Sequence, residues 1–233
     1  MIPAFNEAAN IVSVLDEISN SPAGFDVLVV DDGSSDNTFE LAIEHGVLAL
    51  RLPFNLGVGA AMRLGFKYAV KNGYQSVIQV DADGQHVPRE IDSILSQLAS
   101  FDVVIGSRFA AGASGFEVAG SRRIAMRLLA SSLSKITKVK LTDVTSGFRA
   151  SGPRAIKLFA TSYPPEYLGD TIESLVIAHR NGLSITEVPT TIRQRLTGTS
   201  SQSTAKALIY TVRASFVLLL SLLHRPTETR IGK

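Results

Sequence analysis

The sequence predicts an α/β domain, a doubly wound and mostly parallel sheet followed by one apolar C-terminal helix. Three observations carry this. Short apolar runs alternate with segments of helical periodicity as far as Gly106. Two of the runs, Val27–Val30 and Val77–Val80, end in acidic turns that carry a glycine, as strands do where a parallel sheet hands the chain to a helix. The 233 residues are 45% hydrophobic and 19% charged, enough apolar material for one sizeable core.

Pro3–Glu7, P-A-F-N-E, reads as a strand end turning into a helix. Asn6 is the expected N-cap, and Ile11, Val14, Leu15 and Ile18 fall at helical spacing within Ala8–Ser19. The apolar run before Pro3 is short for a parallel sheet, which predicts a start that is truncated or misassigned. Val27–Val30 is the next strand, with Asp31 and Asp32 at its end. Gly33 permits the sharp exit, and Ser35 or Asp36 caps a helix through Glu44. Leu48–Leu52 is a third strand. Asn55–Phe66 then brings glycines to the start of a helix reaching Lys71. Such an entry can offer backbone N–H groups to phosphate. Met62 stands at the third glycine position of G-x-G-x-x-G, which excludes a dinucleotide fingerprint and favours helix packing for these glycines.

In Ser76–Pro88, Val77, Ile78 and Val80 form a short buried strand, and Asp81 and Asp83 follow at its carboxyl end. Open α/β sheets bind ligands beyond that edge. Two carboxylates one residue apart, then Gly84 and the carbonyl-bearing Gln85, make a hard-cation site suited to Mg²⁺ or Mn²⁺. An ordinary acidic turn is the alternative. Pro88 opens a helix whose Ile91, Ile94, Leu95 and Leu98 face the core. Val103–Gly106 is a further strand, ending in Ser107–Phe109.

The pattern changes after Gly112. Ser121–Ile136 is a helix with Arg122, Arg123 and Arg127 near its beginning. Thr142–Arg149 is a polar loop, Asp170–Arg180 a helix, Ile185–Pro189 a strand and Gln194–Thr204 a mobile loop. Ala205–Leu223 is a helix whose charge-free run, between Arg213 and His224, falls short of the roughly 20 residues needed to span a bilayer. Tyr210, Arg213 and His224-Arg225 suit a helix lying in the membrane interface; packing against the domain or an oligomer partner is the alternative. The expected organisation is a catalytic domain over 1–203, this helix over 204–224 and a basic tail over 225–233.

Residues 1–102 carry 5 basic against 14 acidic side chains and residues 103–233 carry 18 against 7, so the net +2 hides an acidic and a basic half. A metal suits the first half; phosphate groups or an anionic membrane surface suit the second. No nucleic-acid motif is present. The absence of cysteine excludes thiolate chemistry, no His-x-x-x-His spacing supports zinc, and no signal peptide is visible. His86 alone among the four histidines falls beside the acidic motif.

Taken in order, P-A-F-N-E, V-V-D-D-G-S-S-D-N-T, N-L-G-V-G-A-A, D-A-D-G-Q-H-V-P, G-S-R-F, D-V-T-S-G-F-R, E-V-P and R-L-T-G-T-S are a specific set. Through them the chain resembles the inverting GT-A glycosyltransferases of family 2. More closely it resembles their polyprenyl-phosphate, dolichol-phosphate-mannose-synthase-like branch, over roughly Pro3 to Ser200. The resemblance implies a GT-A fold and transfer of a sugar from a nucleotide sugar to a polyprenyl phosphate. It implies that Pro3, Phe5 and Glu7 border the nucleotide base, with Asp31 and Asp32 at the nucleotide. Phe5 stands where the family usually has tyrosine. Asp81, Asp83 and Gln85 would hold Mg²⁺ or Mn²⁺ against the donor diphosphate, with Asp81 and Asp83 central to catalysis. Arg108, Arg122 and Arg123 would meet the acceptor phosphate, and Arg195 the donor diphosphate. Ser201 replaces the lysine usual in that loop, leaving Lys206, or the metal and Arg195 alone, to supply the charge. Asp170 and Glu173 match positions used elsewhere as a base, and here would orient substrate or cap a helix. A cytoplasmic enzyme held peripherally at the membrane follows, with a small membrane protein as a possible partner.

The runner-up is a family 2 enzyme acting on a glycan or other non-prenyl acceptor. A haloacid-dehalogenase-like phosphatase also carries D-x-D-G after a strand, but expects threonine where Gln85 stands.

Overall fold

In a computed structural model, residues 1–20, 24–111, 120–165 and 170–193 are described. The expected Gln194–Thr204 loop with Arg195 and Ser201, the helix at Ala205–Leu223 with Lys206, and the basic tail lie outside them.

Strand β1 (Ile2–Ala4) leads to helix α1 (Ile11–Ser19), then β2 (Leu28–Asp31), α2 (Thr38–Glu44), β3 (Leu48–Arg51), α3 (Val58–Lys71) and β4 (Val77–Gln79). Helix α4 (Ile91–Ser96) follows a single 3₁₀ turn at Pro88–Glu90. Next come β5 (Val103–Ser107), α5 (Gly120–Thr137), β6 (Arg149–Ser151), α6 (Pro153–Ser162), α7 (Asp170–Arg180) and β7 (Ile185–Pro189). The alternation predicted from the apolar runs is therefore present.

β1, β2 and β3 pair in parallel, and a second group runs β4-β6-β5-β7. The two groups meet where the Met1 amino group donates to Ile78 O (2.9 Å) and Val80 N–H donates to Met1 O (3.0 Å). The result is one run, β3-β2-β1-β4-β6-β5-β7, parallel except at β6, which lies antiparallel between β4 and β5. The sequence reading placed Arg149 in a loop; it begins β6 instead. Three residues, R-A-S, carry no apolar run, so the strand has no periodic signal. Helix α6 was not anticipated either, although Pro153 at its first turn and Ala155, Ile156 and Phe159 at helical spacing mark it.

Alternate residues of β5 feed opposite faces. Val103 and Ile105 join Phe66, Leu133, Phe159 and Leu175 under α3, α5, α6 and α7, and Val104 joins Ile11, Leu15, Ile94 and Phe148 under α1 and α4. Phe66, Phe159 and Tyr163 close one core as an aromatic triad with ring centroids 5.3–5.5 Å apart. The glycines of Asn55–Phe66 serve packing, as expected: Gly59 brings α3 onto the Pro164 carbonyl, where a Cβ would lie only 1.9 Å away.

Asn6 does not cap α1. Its backbone is left-handed (φ 55°), and its Oδ1 accepts the Ser35 N–H at 2.9 Å. The bond locks the exit of β1 to the exit of β2, and Glu7 N–H on Thr38 Oγ1 and Ala8 N–H on Asp36 Oδ2 extend the lock. Neither Ser35 nor Asp36 holds the N-cap of α2, which falls on Asn37 without a side-chain cap bond; Asp36 instead accepts the Thr38 N–H at 3.0 Å in the turn just before the helix.

Candidate active site

The carboxyl ends of β1, β2, β4 and β5 share one edge of the sheet, and Phe5, Asp31, Asp32, Asp81, Asp83 and Arg108 stand at or just beyond those ends. At the β2 exit Asp31 is fully enclosed. It accepts the Ser34 N–H and hydroxyl, and Arg51 Nε sits 3.1 Å from its Oδ2. Asp32 is also enclosed, and its two oxygens accept Leu56 N–H and Gly57 N–H, each at 2.9 Å. Burial raises the Asp32 carboxyl above the usual carboxylate range despite those bonds. The Leu56 and Gly57 N–H groups that could have cradled a phosphate are thus taken by Asp32. Gly33 makes the turn possible with φ 71° and with the Phe54 backbone 2.5 Å from where a Cβ would stand. Pro3 is buried, Glu7 half-buried, and Phe5 44% exposed. Both acidic side chains of the D-D pair therefore shape the turn, while Phe5 presents an open aromatic face beside it.

At the β4 exit, Asp81 and Asp83 flank a turn in which Gly84 takes φ 74°. Gln85 N–H donates to Asp83 Oδ1 at 3.0 Å. Gln79 Nε2 donates to Asp81 Oδ1 at 3.1 Å. The buried His86 ring accepts the Asp81 N–H on Nδ1 at 3.0 Å, which leaves its proton on Nε2, 3.6 Å from Asp81 Oδ2. That ring stacks on Phe148 with centroids 4.6 Å apart. His86 therefore supports Asp81 from behind. The Asp81 side chain remains 40% exposed on the open side. Gln85 also pairs with Arg193, beyond β7: Arg193 N–H donates to Gln85 O at 3.0 Å, and Gln85 Nε2 to Arg193 O at 3.3 Å. Among the described residues no group of three or more His, Cys, Asp or Glu forms a complete metal cage. Two carboxylates and an amide are the donor types a hard divalent cation takes, and substrate phosphate and water would have to complete its shell.

The β5 exit carries Arg108, whose guanidinium pairs bidentately with the enclosed Asp143 and also donates to Thr145 Oγ1 at 2.8 Å. Its ring-side face lies over Phe109, 5.6 Å from the centroid. Arg123 is exposed on α5, and the Arg122 side chain lies outside the described part. A cavity of about 400 Å³ opens beside Arg123 and Arg127, walled by Phe109, Met126 and Leu141. Ile124 and Leu128 on the same helix are 63% and 64% exposed.

Four residues in this layer were not singled out from the sequence. Glu187 accepts Thr142 N–H, Asp143 N–H and the Thr142 hydroxyl at 2.7–2.8 Å, and burial raises its carboxyl above the usual range. The buried Arg149 donates to Val144 O and Ser146 O at 2.7 Å and to Thr171 O at 2.6 Å. Burial lowers its pKa, while the nearby carboxyl groups of Asp170, Asp143 and Glu187 support its charge. Asp143 anchors Arg108, and Gly147 closes on Asp81. Asp170 is buried at the start of α7 and Glu173 is half-buried one turn on.

The sequence pattern of glycosyl transferase family 2 matches residues 1–159. The chain belongs to that family. It is 32% identical over 215 residues to the polyprenol monophosphomannose synthase of Mycolicibacterium smegmatis, covering 87% of this chain and 80% of that protein. It is 29% identical to the UDP-N-acetylglucosamine–dolichyl-phosphate N-acetylglucosaminyltransferase of Methanococcus voltae, over 81% of this chain and 82% of the other. Glucosyl-3-phosphoglycerate synthase of Mycobacterium tuberculosis, crystallised with Mn²⁺ and UDP-glucose, superposes with a TM-score of 0.71 at 22% identity, over 97% of this chain and 79% of that one. The last likeness establishes the GT-A fold expected of a family 2 glycosyltransferase. Among the described residues, no helix of this family 2 chain is long and apolar enough to cross a membrane.

Proposed function

We propose that the protein transfers a sugar from a nucleoside-diphosphate sugar to a polyprenyl phosphate with inversion, at a cytoplasmic membrane face that it joins peripherally. The observation that carries this reading is one sheet edge holding two kinds of surface. At the β4 exit stand the carboxylates of Asp81 and Asp83, and at the β5 exit a basic cavity with apolar walls. A lipid phosphate needs both cations and an apolar bed. The names of the two relatives, a mannosyl and an N-acetylglucosaminyl transferase, agree in a polyprenyl-type acceptor and differ in sugar.

Asp81, Asp83 and Gln85 would hold Mg²⁺ or Mn²⁺, which supplies Lewis-acid stabilisation of the leaving diphosphate. Phe5 offers a face to the base, with Pro3 and Glu7 at its border. Asp31 and Asp32 fix the turn beneath it. An acceptor phosphate oxygen attacks the anomeric carbon as the bond to the diphosphate breaks, and the nucleoside diphosphate leaves. The phosphate is already anionic near neutral pH, so positioning replaces a general base. Arg122 and Arg123 supply charge to it. Arg108, neutralised by Asp143, contributes direction, and Arg195 is assigned to the donor diphosphate. Asp170 and Glu173, in the first turn of α7, orient substrate or cap that helix.

Purified protein with Mn²⁺ or Mg²⁺, a short polyprenyl phosphate and a panel of GDP- and UDP-sugars tests the reading. Lipid-linked sugar of inverted anomeric configuration is the expected product, with at least a hundredfold loss in Asp83→Ala. Transfer that survives in Asp83→Ala, or that runs on a glycan and never on the lipid phosphate, refutes it. Co-sedimentation with anionic vesicles checks the membrane association.

A further inference from the structure

Gly147 sits closer to Asp81 than any side chain would allow. A Cβ at this position would stand 2.8 Å from Asp81 Oδ1, 2.9 Å from Oδ2 and 2.9 Å from Gln79 Nε2. All three distances are well inside van der Waals contact. Gly147 does not occupy the left-handed region, so the turn itself does not call for glycine. Proximity to the carboxylate does. The loop cannot easily retreat, because Arg149 ties the carbonyls of Val144 and Ser146 to itself at 2.7 Å. Phe148, next in sequence, stacks on His86, which in turn accepts the Asp81 N–H. Asp81 is thus enclosed on one side by Gly147, Gln79 and His86 and open on the other.

We propose that Gly147 is a positioning residue for the divalent cation: its bare backbone sets the rotation at which Asp81 presents its carboxylate. The inference rests on Asp81 being a metal ligand. A methyl group at residue 147 moves the Asp81 carboxylate, the free end of its side chain, because Arg149 holds the loop backbone. Supporting residues behind metal ligands commonly change affinity 10–100-fold.

The test is Mn²⁺ titration followed by electron paramagnetic resonance, with UDP and with GDP in turn. It compares wild type, Gly147→Ala, Asp81→Ala and Gly152→Ala. Gly152 is the control, since a Cβ there meets nothing nearer than 3.6 Å. Gly147→Ala is expected to weaken Mn²⁺ binding about tenfold or more and to raise the Mn²⁺ needed for half-maximal transfer in step. Gly152→Ala is expected to match wild type. Wild-type Mn²⁺ affinity in Gly147→Ala overturns the proposal. Unchanged binding in Asp81→Ala overturns the ligand assignment beneath it, a separate failure. If Gly147→Ala does not fold, the double variant Gly147→Ala/Asp81→Ala decides. Recovery of the Asp81→Ala melting temperature supports the contact, and equal loss of folding refutes it.

Discussion

Arg108 and Asp143 meet through two parallel hydrogen bonds, Nε to Oδ2 at 2.5 Å and Nη2 to Oδ1 at 2.7 Å. The pair ties the end of β5 to the loop before β6. Burial alone would raise the Asp143 carboxyl, but the hydrogen bonds and charge of Arg108 hold it below the usual range. A lowered folded pKa contributes stability above the unfolded value, near ~4 for aspartate, that is lost as pH falls through the folded one. Asp143→Asn should cost about 3 kcal/mol at neutral pH, read from urea unfolding. The gap to wild type should close on acidification below pH ~4. A constant gap across that window would count against the pair.

Asp32 should be visible in hydrogen exchange. Asp32→Ala leaves the Leu56 and Gly57 N–H groups without their acceptor and removes about 1 kcal/mol of capping. Exchange at those two sites should accelerate several-fold, with little change inside α6. Unaltered protection there would show that the turn holds itself.

Gly59→Ala drives a Cβ into the Pro164 carbonyl, a backbone atom that cannot swing aside. A loss of roughly 2–3 kcal/mol is expected as α3 and α6 separate. Thermal denaturation measures it. A melting temperature equal to wild type would mean that the Pro164-Pro165 segment yields freely.

For Glu187 the pH dependence has the opposite sense to that of Asp143. Its folded pKa is raised, by burial first, so its contribution is full below the unfolded carboxylate value and declines as pH rises through the folded one. Glu187→Gln resembles the protonated carboxyl, with one acceptor oxygen, and should lie within about 1 kcal/mol of wild type in acid. Its stability relative to wild type should rise from acid toward neutral pH in chemical unfolding. A fall over the same interval would contradict the assignment.

Periodicity made most of the fold legible, because β2, β5 and α1 announce their buried faces in Val29, Ile105 and Leu15. β6 stayed hidden since its stability lies in its neighbours' hydrogen bonds and in a buried Arg149. The acidic and basic motifs named the edge of the sheet where chemistry belongs. They could not distinguish a carboxylate facing outward, such as Asp81, from Asp31 and Asp32, which turn inward onto Ser34, Arg51, Leu56 and Gly57. Asp143 and Glu187 stand inside D-V-T-S-G-F-R and E-V-P, yet their roles stayed unread. Each acts on a partner tens of residues away, and the motifs do not say which.

The grip of Glu187 on Thr142 and Asp143 bears on how this enzyme could be recombined with its relatives. A chimera joined anywhere between Ala110 and Leu141 would take Arg108 from one parent and Asp143 with Glu187 from the other. Exchanging a segment that carries only one member of each pair would therefore break the Arg108–Asp143 or the Glu187–Thr142 bond. The unit to transplant is the closed circuit of Arg108, Asp143, Thr142 and Glu187, moved together with the strands that bear them.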